Sequence, residues 1–150
     1  MSTRAAPRQV RSPPGPRLDD QVGHLLRRAY QRAAGNLVAR VGRYELTAVQ
    51  FAVLARLAEH GNLSQNRLGR EVDMEPANIK AVVDRLMRRG LVATERDPAD
   101  RRLVLVTLTV AGEALLRELW PLAQAGAAAT LAPLKPAERR LLLQLLRRLL

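Results

Sequence analysis

Asn78 and Lys80 stand two residues apart just after Pro76, and Arg101 and Arg102 stand side by side at the far end of the same segment. An asparagine amide can pair bidentately with an adenine edge. A lysine ammonium can donate to guanine O6 and N7 or to a phosphate. Ala77 and Ala81, beside them, are small enough for close approach and can touch a thymine methyl. Arginines suit phosphates, guanines and the narrow minor groove of A·T tracts, where negative potential is concentrated. The chemistry these types point to is recognition of a DNA duplex. Catalytic chemistry is not indicated, because no nucleophile–base pair, glycine-rich phosphate loop or ligand cluster stands out. With no cysteine and only His24 and His60 as imidazoles, disulfides, thiolate sites and thiol redox chemistry are excluded and a metal site is not expected. No catalytic residue, metal ligand or cofactor is therefore assigned, and the chain reads as a protein other than an enzyme.

The elements that must carry these side chains run from Ser64 to Thr109. SQNRLGREV predicts a short helix with Ser64 as N-cap and Leu63, Leu68 and Val72 on its buried side. Gly69 permits close approach of the next helix. The turn DMEP leads into ANIKAVVDRLMRRG, with Pro76 at the first helical position. Ile79, Val82, Val83 and Leu86 recur at i, i+3, i+4 and i+7 and define the buried face. The opposite side then presents Ala77, Asn78, Lys80, Ala81, Asp84 and Arg85, the side that enters a major groove in a helix-turn-helix. Ser64 and Gln65, at the start of the first helix, join that DNA-facing set. Arg88 and Arg89 complement the negative end of the second helix's dipole. Two strand-like runs, LVATER and RLVLVTLT, bracket the loop Asp97 to Arg102, where Asp97-Pro98 favours a turn. One wing arginine is expected in an ion pair with Asp97, Asp100 or Asp84 that fixes the loop, and the other on DNA. The fold expected is mainly α with a small β-hairpin wing: a winged helix-turn-helix flanked by outer helices.

Those outer helices follow from pattern as well. Val22, Leu25, Leu26, Ala29, Ala33 and Leu37 predict a long helix from Leu18 to Val41. Thr47 and Gln50 have capping-box form at the start of the next. Thr109 can cap a helix to about Leu131, which Pro121 is expected to kink or break. A last helix begins at Lys135-Pro136, and Leu141, Leu142, Leu145, Leu146 and Leu149 form a leucine face suited to a second copy of the chain. The expected domains are a disordered basic tail at 1–17, an N-terminal dimerisation helix at 18–46, the DNA-binding domain at 47–108 and C-terminal dimerisation helices at 109–150.

The 150 residues carry a net charge of +11, which favours a polyanionic partner. The segment 64–102 itself nets only +2, with nine basic and seven acidic groups, while residues 1–17 hold four arginines and no acid. Arrangement, rather than bulk basicity, therefore marks the reading segment. No apolar run approaches the roughly 18 residues a spanning helix needs, and the N-terminus has no secretory h-region. No membrane partner and a cytoplasmic location are expected.

The run DPADRRLVLVTLTVAGEALL resembles the MarR family of bacterial winged-helix regulators, whose wing signature is Asp-x-Arg followed by a strand and Leu-Thr. Here these are Asp100-Arg101-Arg102 and Leu108-Thr109, and the resemblance extends over roughly residues 18–150. It implies a homodimer, a pseudo-palindromic operator in double-stranded DNA, and repression relieved by a small molecule. The chain departs from the family pattern at Glu75, Ala77 and Asn78 around Pro76, and by the acids Glu71, Asp73 and Glu75 near the expected phosphates. Lack of cysteine argues against a peroxide- or quinone-sensing branch, and lack of tryptophan in the first helix against a urate-sensing one. QVGHLLRRAYQR, LTAVQFAVLARL and LSQNRLG are similar to a branch that senses aromatic carboxylates or their CoA thioesters. Its effector contacts would be His24, Arg28, Tyr30, Arg32 and Gln50. The alternative from another class is a non-specific architectural DNA-binding protein.

Overall fold

The computed structural model describes residues 15–150. The basic tail expected at 1–17 lies outside them except for its last three residues. The described residues divide into two compact units, 15–31 and 32–150.

In the first unit a 3-10 turn at Leu18–Asp20 precedes helix α1 (Val22–Val41). The α-helix begins four residues later than the apolar spacing predicts. Asp19 and Asp20 occupy the turn, consistent with the preference of aspartate for caps and turns over helix interiors. The Asp19 carboxylate lies 3.7 Å from His24 Nε2 and 3.6 Å from Arg28 Nη1.

The second unit starts with the remainder of α1. Its end is buried at Val41, and a 3-10 turn at Gly42–Tyr44 leads to Glu45 in the left-handed region at φ 54°. Helix α2 (Ala48–His60) follows, and its capping box is complete: the Gln50 amide donates to Thr47 Oγ1 at 3.2 Å, and the Thr47 amide to Gln50 Oε1 at 2.9 Å. Strand β1 (Leu63–Ser64), α3 (Gln65–Glu71), α4 (Pro76–Arg88), β2 (Val92–Arg96), β3 (Val104–Leu108), α5 (Val110–Leu131) and α6 (Pro136–Arg147) complete the order.

The sheet is antiparallel with order β1-β3-β2. The hairpin pairs Val92 with Leu108 through Arg96 with Val104, while β1 adds only Leu63 opposite Val106 and Ser64 opposite Leu105. This third strand is too short to leave a period-two pattern in the sequence. The core joins Val53, Leu54 and Leu57 of α2, Leu68 of α3, Ile79, Val83 and Leu86 of α4, Val106 of β3, and Leu116 and Leu119 of α5. Val82 packs half-buried at its edge.

Two glycines are required by close approach. A Cβ on Gly112 would stand 2.1 Å from the Leu91 carbonyl oxygen, and one on Gly69 would stand 3.0 Å from that of Met74. The first follows from how α5 begins. Thr109 Oγ1 donates to the Gly90 carbonyl at 2.6 Å and accepts from the Gly112 amide at 3.1 Å, while the Thr109 amide donates to the Leu91 carbonyl at 3.1 Å. Helix α5 is continuous through Pro121, so of the kink or break expected there the break does not occur. A proline removes one amide donor from the ladder, and the rest of the 22-residue helix carries on around it. On α6 no residue is fully buried; Leu141, Leu143, Leu145 and Leu149 are exposed, and Leu142 and Leu146 are half-buried.

Candidate nucleic-acid interface

Helix α4 turns Ile79, Val83 and Leu86 into the core, so its other side must face solvent. Ala77, Asn78, Lys80, Ala81 and Arg85 are all exposed there, and Pro76 opens the helix. Lys80 Nζ lies 2.7 Å from Asp84 Oδ2, one turn further along the same side. Asp84 is thereby engaged within α4 and does not make the wing contact expected of it. An exposed lysine in such a pair must leave or share its partner before it can serve a base edge.

The wing is held by aspartates as its sequence suggests. Asp97 Oδ1 accepts the amides of Ala99 at 2.7 Å and Asp100 at 3.4 Å, an Asx turn that shapes the tip. The Asp97 amide donates to the Leu103 carbonyl at 3.1 Å and closes the loop. Asp100 Oδ1 accepts both the Arg102 amide at 3.0 Å and Arg102 Nε at 3.1 Å. Hydrogen bonding from the Arg102 side chain, and secondly from its amide, holds the Asp100 carboxyl below its ordinary value. Arg102 is thus the wing's paired arginine. Its side chain is nevertheless 91% exposed, so the pair orients the guanidinium without burying it. Arg101 is exposed, with no ion pair among the described residues, and its carbonyl accepts from Arg96 Nη1 at 2.8 Å.

The start of α3 and the wing face one another. Ser64, Gln65 and Asn66 line one side of a groove of about 180 Å³, and Arg102, Leu103 and Val104 the other. Ser64 Oγ accepts the Arg67 amide at 3.3 Å, the expected cap. Glu71 lies within 4.0 Å of side-chain nitrogens of Arg56, His60 and Arg67. Arginines on two helices thus compensate its charge locally.

Two candidates for effector contact, His24 and Arg28, face Asp19 in the first unit, where Tyr30 is exposed. In the second unit Arg32 is exposed, and Gln50 is buried with its carbonyl oxygen committed to the capping box. A cavity of about 330 Å³ lies between α2, β3 and α5, and neither Arg32 nor Gln50 lines it. Leu57 and Leu116 lie in its lining, with Trp120, Glu113 and Arg117 beside them. Trp120 is braced from behind by Phe51, edge to face at 5.6 Å. Arg117 has no signal in the sequence, because an exposed arginine on a helix carries no spacing pattern. Arg89 does more than complement the helix dipole. In the structure its Nη1 and Nη2 donate to the carbonyls of Glu45 at 2.9 Å and Tyr44 at 2.7 Å. Among the described residues no group of His, Cys, Asp or Glu could hold a metal ion, and no helix is long and apolar enough to cross a membrane.

A family model described as MarR family matches residues 46–104. The chain is 40% identical to the HTH-type transcriptional repressor NicR of Pseudomonas putida over 87% of its own length and 83% of the relative's. Its fold is similar to that of BpsR from Bordetella bronchiseptica, a protein whose DNA binding is regulated by 6-hydroxynicotinic acid. The TM-score is 0.83 at 43% identity, covering 90% of this chain and 97% of that one. It is also similar to a MarR variant from Escherichia coli complexed with operator DNA, with a TM-score of 0.81 at 25% identity, covering 89% and 97%.

Proposed function

The chain belongs to the MarR family and is a DNA-binding transcriptional repressor of that type, and from this premise we propose that it acts as a homodimer released from a pseudo-palindromic operator by a small aromatic acid. The observation that carries the reading is the exposed side of α4, with Asn78, Lys80 and Arg85, together with a wing whose Arg102 is aimed by Asp100. Two copies related by a two-fold axis present two such helices to successive major grooves, about 34–36 Å apart. Asn78 and Lys80 take base edges, flanked by Pro76, Ala77 and Ala81. Arg101 and Arg102 take the minor groove, and Ser64 and Gln65 take backbone phosphates. The leucine face of α6 supplies apolar surface for the second copy.

The effector reading is supported by BpsR, whose DNA binding responds to 6-hydroxynicotinic acid. A hydroxylated aromatic carboxylate suits either His24 and Arg28 or the Arg117–Trp120 cavity, since each offers a cation for a carboxylate and the cavity adds an indole wall. Release requires only that effector bind better to a dimer whose helix spacing no longer fits the operator.

Selection of duplexes from a random library, followed by footprinting, tests the operator reading. A discrete centrosymmetric footprint is expected; uniform coverage of any duplex supports the architectural alternative. Adding 6-hydroxynicotinic acid and related aromatic acids to the footprinted complex tests the effector reading. Release with Arg28→Ala abolishing it points to α1, release with Arg117→Ala abolishing it points to the cavity, and no release by any of them removes the aromatic acid.

A further inference from the structure

We propose that Arg89 is a positioning residue for DNA recognition, holding the C-terminal end of α4 to the junction between α1 and α2 through two backbone carbonyls. The inference rests on the reading of α4 as the recognition helix. Apolar packing of Ile79, Val83 and Leu86 fixes one face of α4 against the core, but such packing is non-directional. Directional restraint at its far end comes from Arg89, whose two nitrogens reach Glu45 and Tyr44 at 2.9 Å and 2.7 Å. Arginine suits this because its planar fork serves two neighbouring acceptors at once, which a lysine ammonium does not. Arg88, also in the last turn, makes no such bond among the described residues.

The receiving segment is itself fixed. Glu45 is left-handed at φ 54°, its amide donates to the Gly42 carbonyl at 2.9 Å, and Leu46 beyond it is buried. A left-handed side-chain-bearing residue is strained and persists only where its surroundings hold it. Tyr44 then extends the connection, with its hydroxyl donating to Glu118 Oε2 of α5 at 3.3 Å and accepting from Arg43 Nη2 at 2.8 Å. The end of the recognition helix, the α1–α2 junction and α5 therefore meet at Tyr44–Glu45.

The test uses the full-length protein and a duplex enriched by the wild type from a random library. Binding is followed by fluorescence anisotropy across a salt series for the wild type, Arg89→Ala and Arg89→Lys, with urea unfolding of each in parallel. A positioning role predicts that both variants lose on the order of ten-fold in affinity for the enriched duplex. It also predicts that they keep their affinity for a scrambled duplex and keep the slope of log K against log salt. Lysine fails to rescue because it cannot span both carbonyls. The proposal is overturned if lysine restores binding and alanine lowers the slope by about 1.8, the signature of one lost phosphate contact per protomer of a dimer. Unchanged affinity overturns it too, as does a loss matched by the fraction unfolded. If the wild type enriches no duplex, the operator reading falls and this inference with it; enrichment followed by any of the other adverse results overturns the Arg89 inference alone.

Discussion

Replacing Asp84 by asparagine is expected to tighten binding to DNA, although it removes an ion pair. In the free protein Lys80 Nζ sits 2.7 Å from Asp84 Oδ2, with side chains 63% and 42% exposed. An exposed pair at i,i+4 contributes about 0.3–0.5 kcal/mol. If Lys80 must relinquish Asp84 to reach a guanine or a phosphate, that amount is lost on binding, once per protomer. Over two protomers the cost is roughly 0.6–1 kcal/mol, so Asp84→Asn should raise operator affinity by about three- to five-fold. Stability should fall by only a few tenths of a kcal/mol. The assay is a double-mutant cycle: operator affinity at fixed salt for the wild type, Asp84→Asn, Lys80→Ala and the double variant. In the Lys80→Ala background the gain from Asp84→Asn should shrink to what remains from removing one negative charge near phosphates. Weaker binding by Asp84→Asn, or an equal gain in both backgrounds, would refute the account of Lys80 as a group held in reserve.

Gly112→Ala should destabilise the fold by about 2–5 kcal/mol in urea unfolding, since relieving the clash with the Leu91 carbonyl breaks the bonds from Thr109 to Gly90 and Leu91 and adds strain; a loss below about 1 kcal/mol would show that α5 shifts freely. Asp100 has a lowered folded pKa, so its contribution to wing order is present above the ordinary aspartate value and lost as pH falls through the lowered one. Carboxyl carbon NMR of Asp100 should show a titration midpoint below those of reference aspartates, and Arg102→Ala should raise it only part of the way back, because the backbone amide at 102 still donates to the carboxylate. If the chain dimerises as proposed, Leu141→Glu with Leu145→Glu should leave a monomer in sedimentation velocity while near-native helix content is retained; a dimer that survives both substitutions would remove α6 from the interface.

Much of the fold was legible because local chemistry and tertiary demand agree. Thr47, Ser64 and Thr109 cap the helices their sequence context suggests, and the i, i+3, i+4, i+7 apolar set of α4 fixes which side stays wet. The wing tip was legible for the same reason, since Asp97 and Asp100 shape their own backbone. At Pro121 local chemistry leaves a kink and a break both open, and the fold keeps α5 continuous. Two features were not legible. Strand β1 is two residues long and exists only because β3 receives it. The partners of Asp84 and Arg89 depend on geometry: Asp84, Asp97 and Asp100 are alike as candidates for a wing arginine, Arg88 and Arg89 are alike as helix-end cations, and only the fold decides which neighbour each meets. Gln50 is the converse, a residue with two plausible uses of which the cap takes its carbonyl oxygen.

The join at Thr109 has a consequence beyond stability. The hairpin departs at Leu91 and returns at Thr109, and those two residues are bonded to each other across its base. The strands that start at Val92 and end at Leu108 belong to the frame, since Val92 and Val106 are buried in the core and β3 receives β1, while the tip between Asp97 and Leu103 is closed by its own bonds. Tip length and sequence can drift, or be exchanged between relatives, while the frame around them stays put. On the proposed reading, evolution can retune minor-groove preference at this tip while the fold that presents α4 is kept.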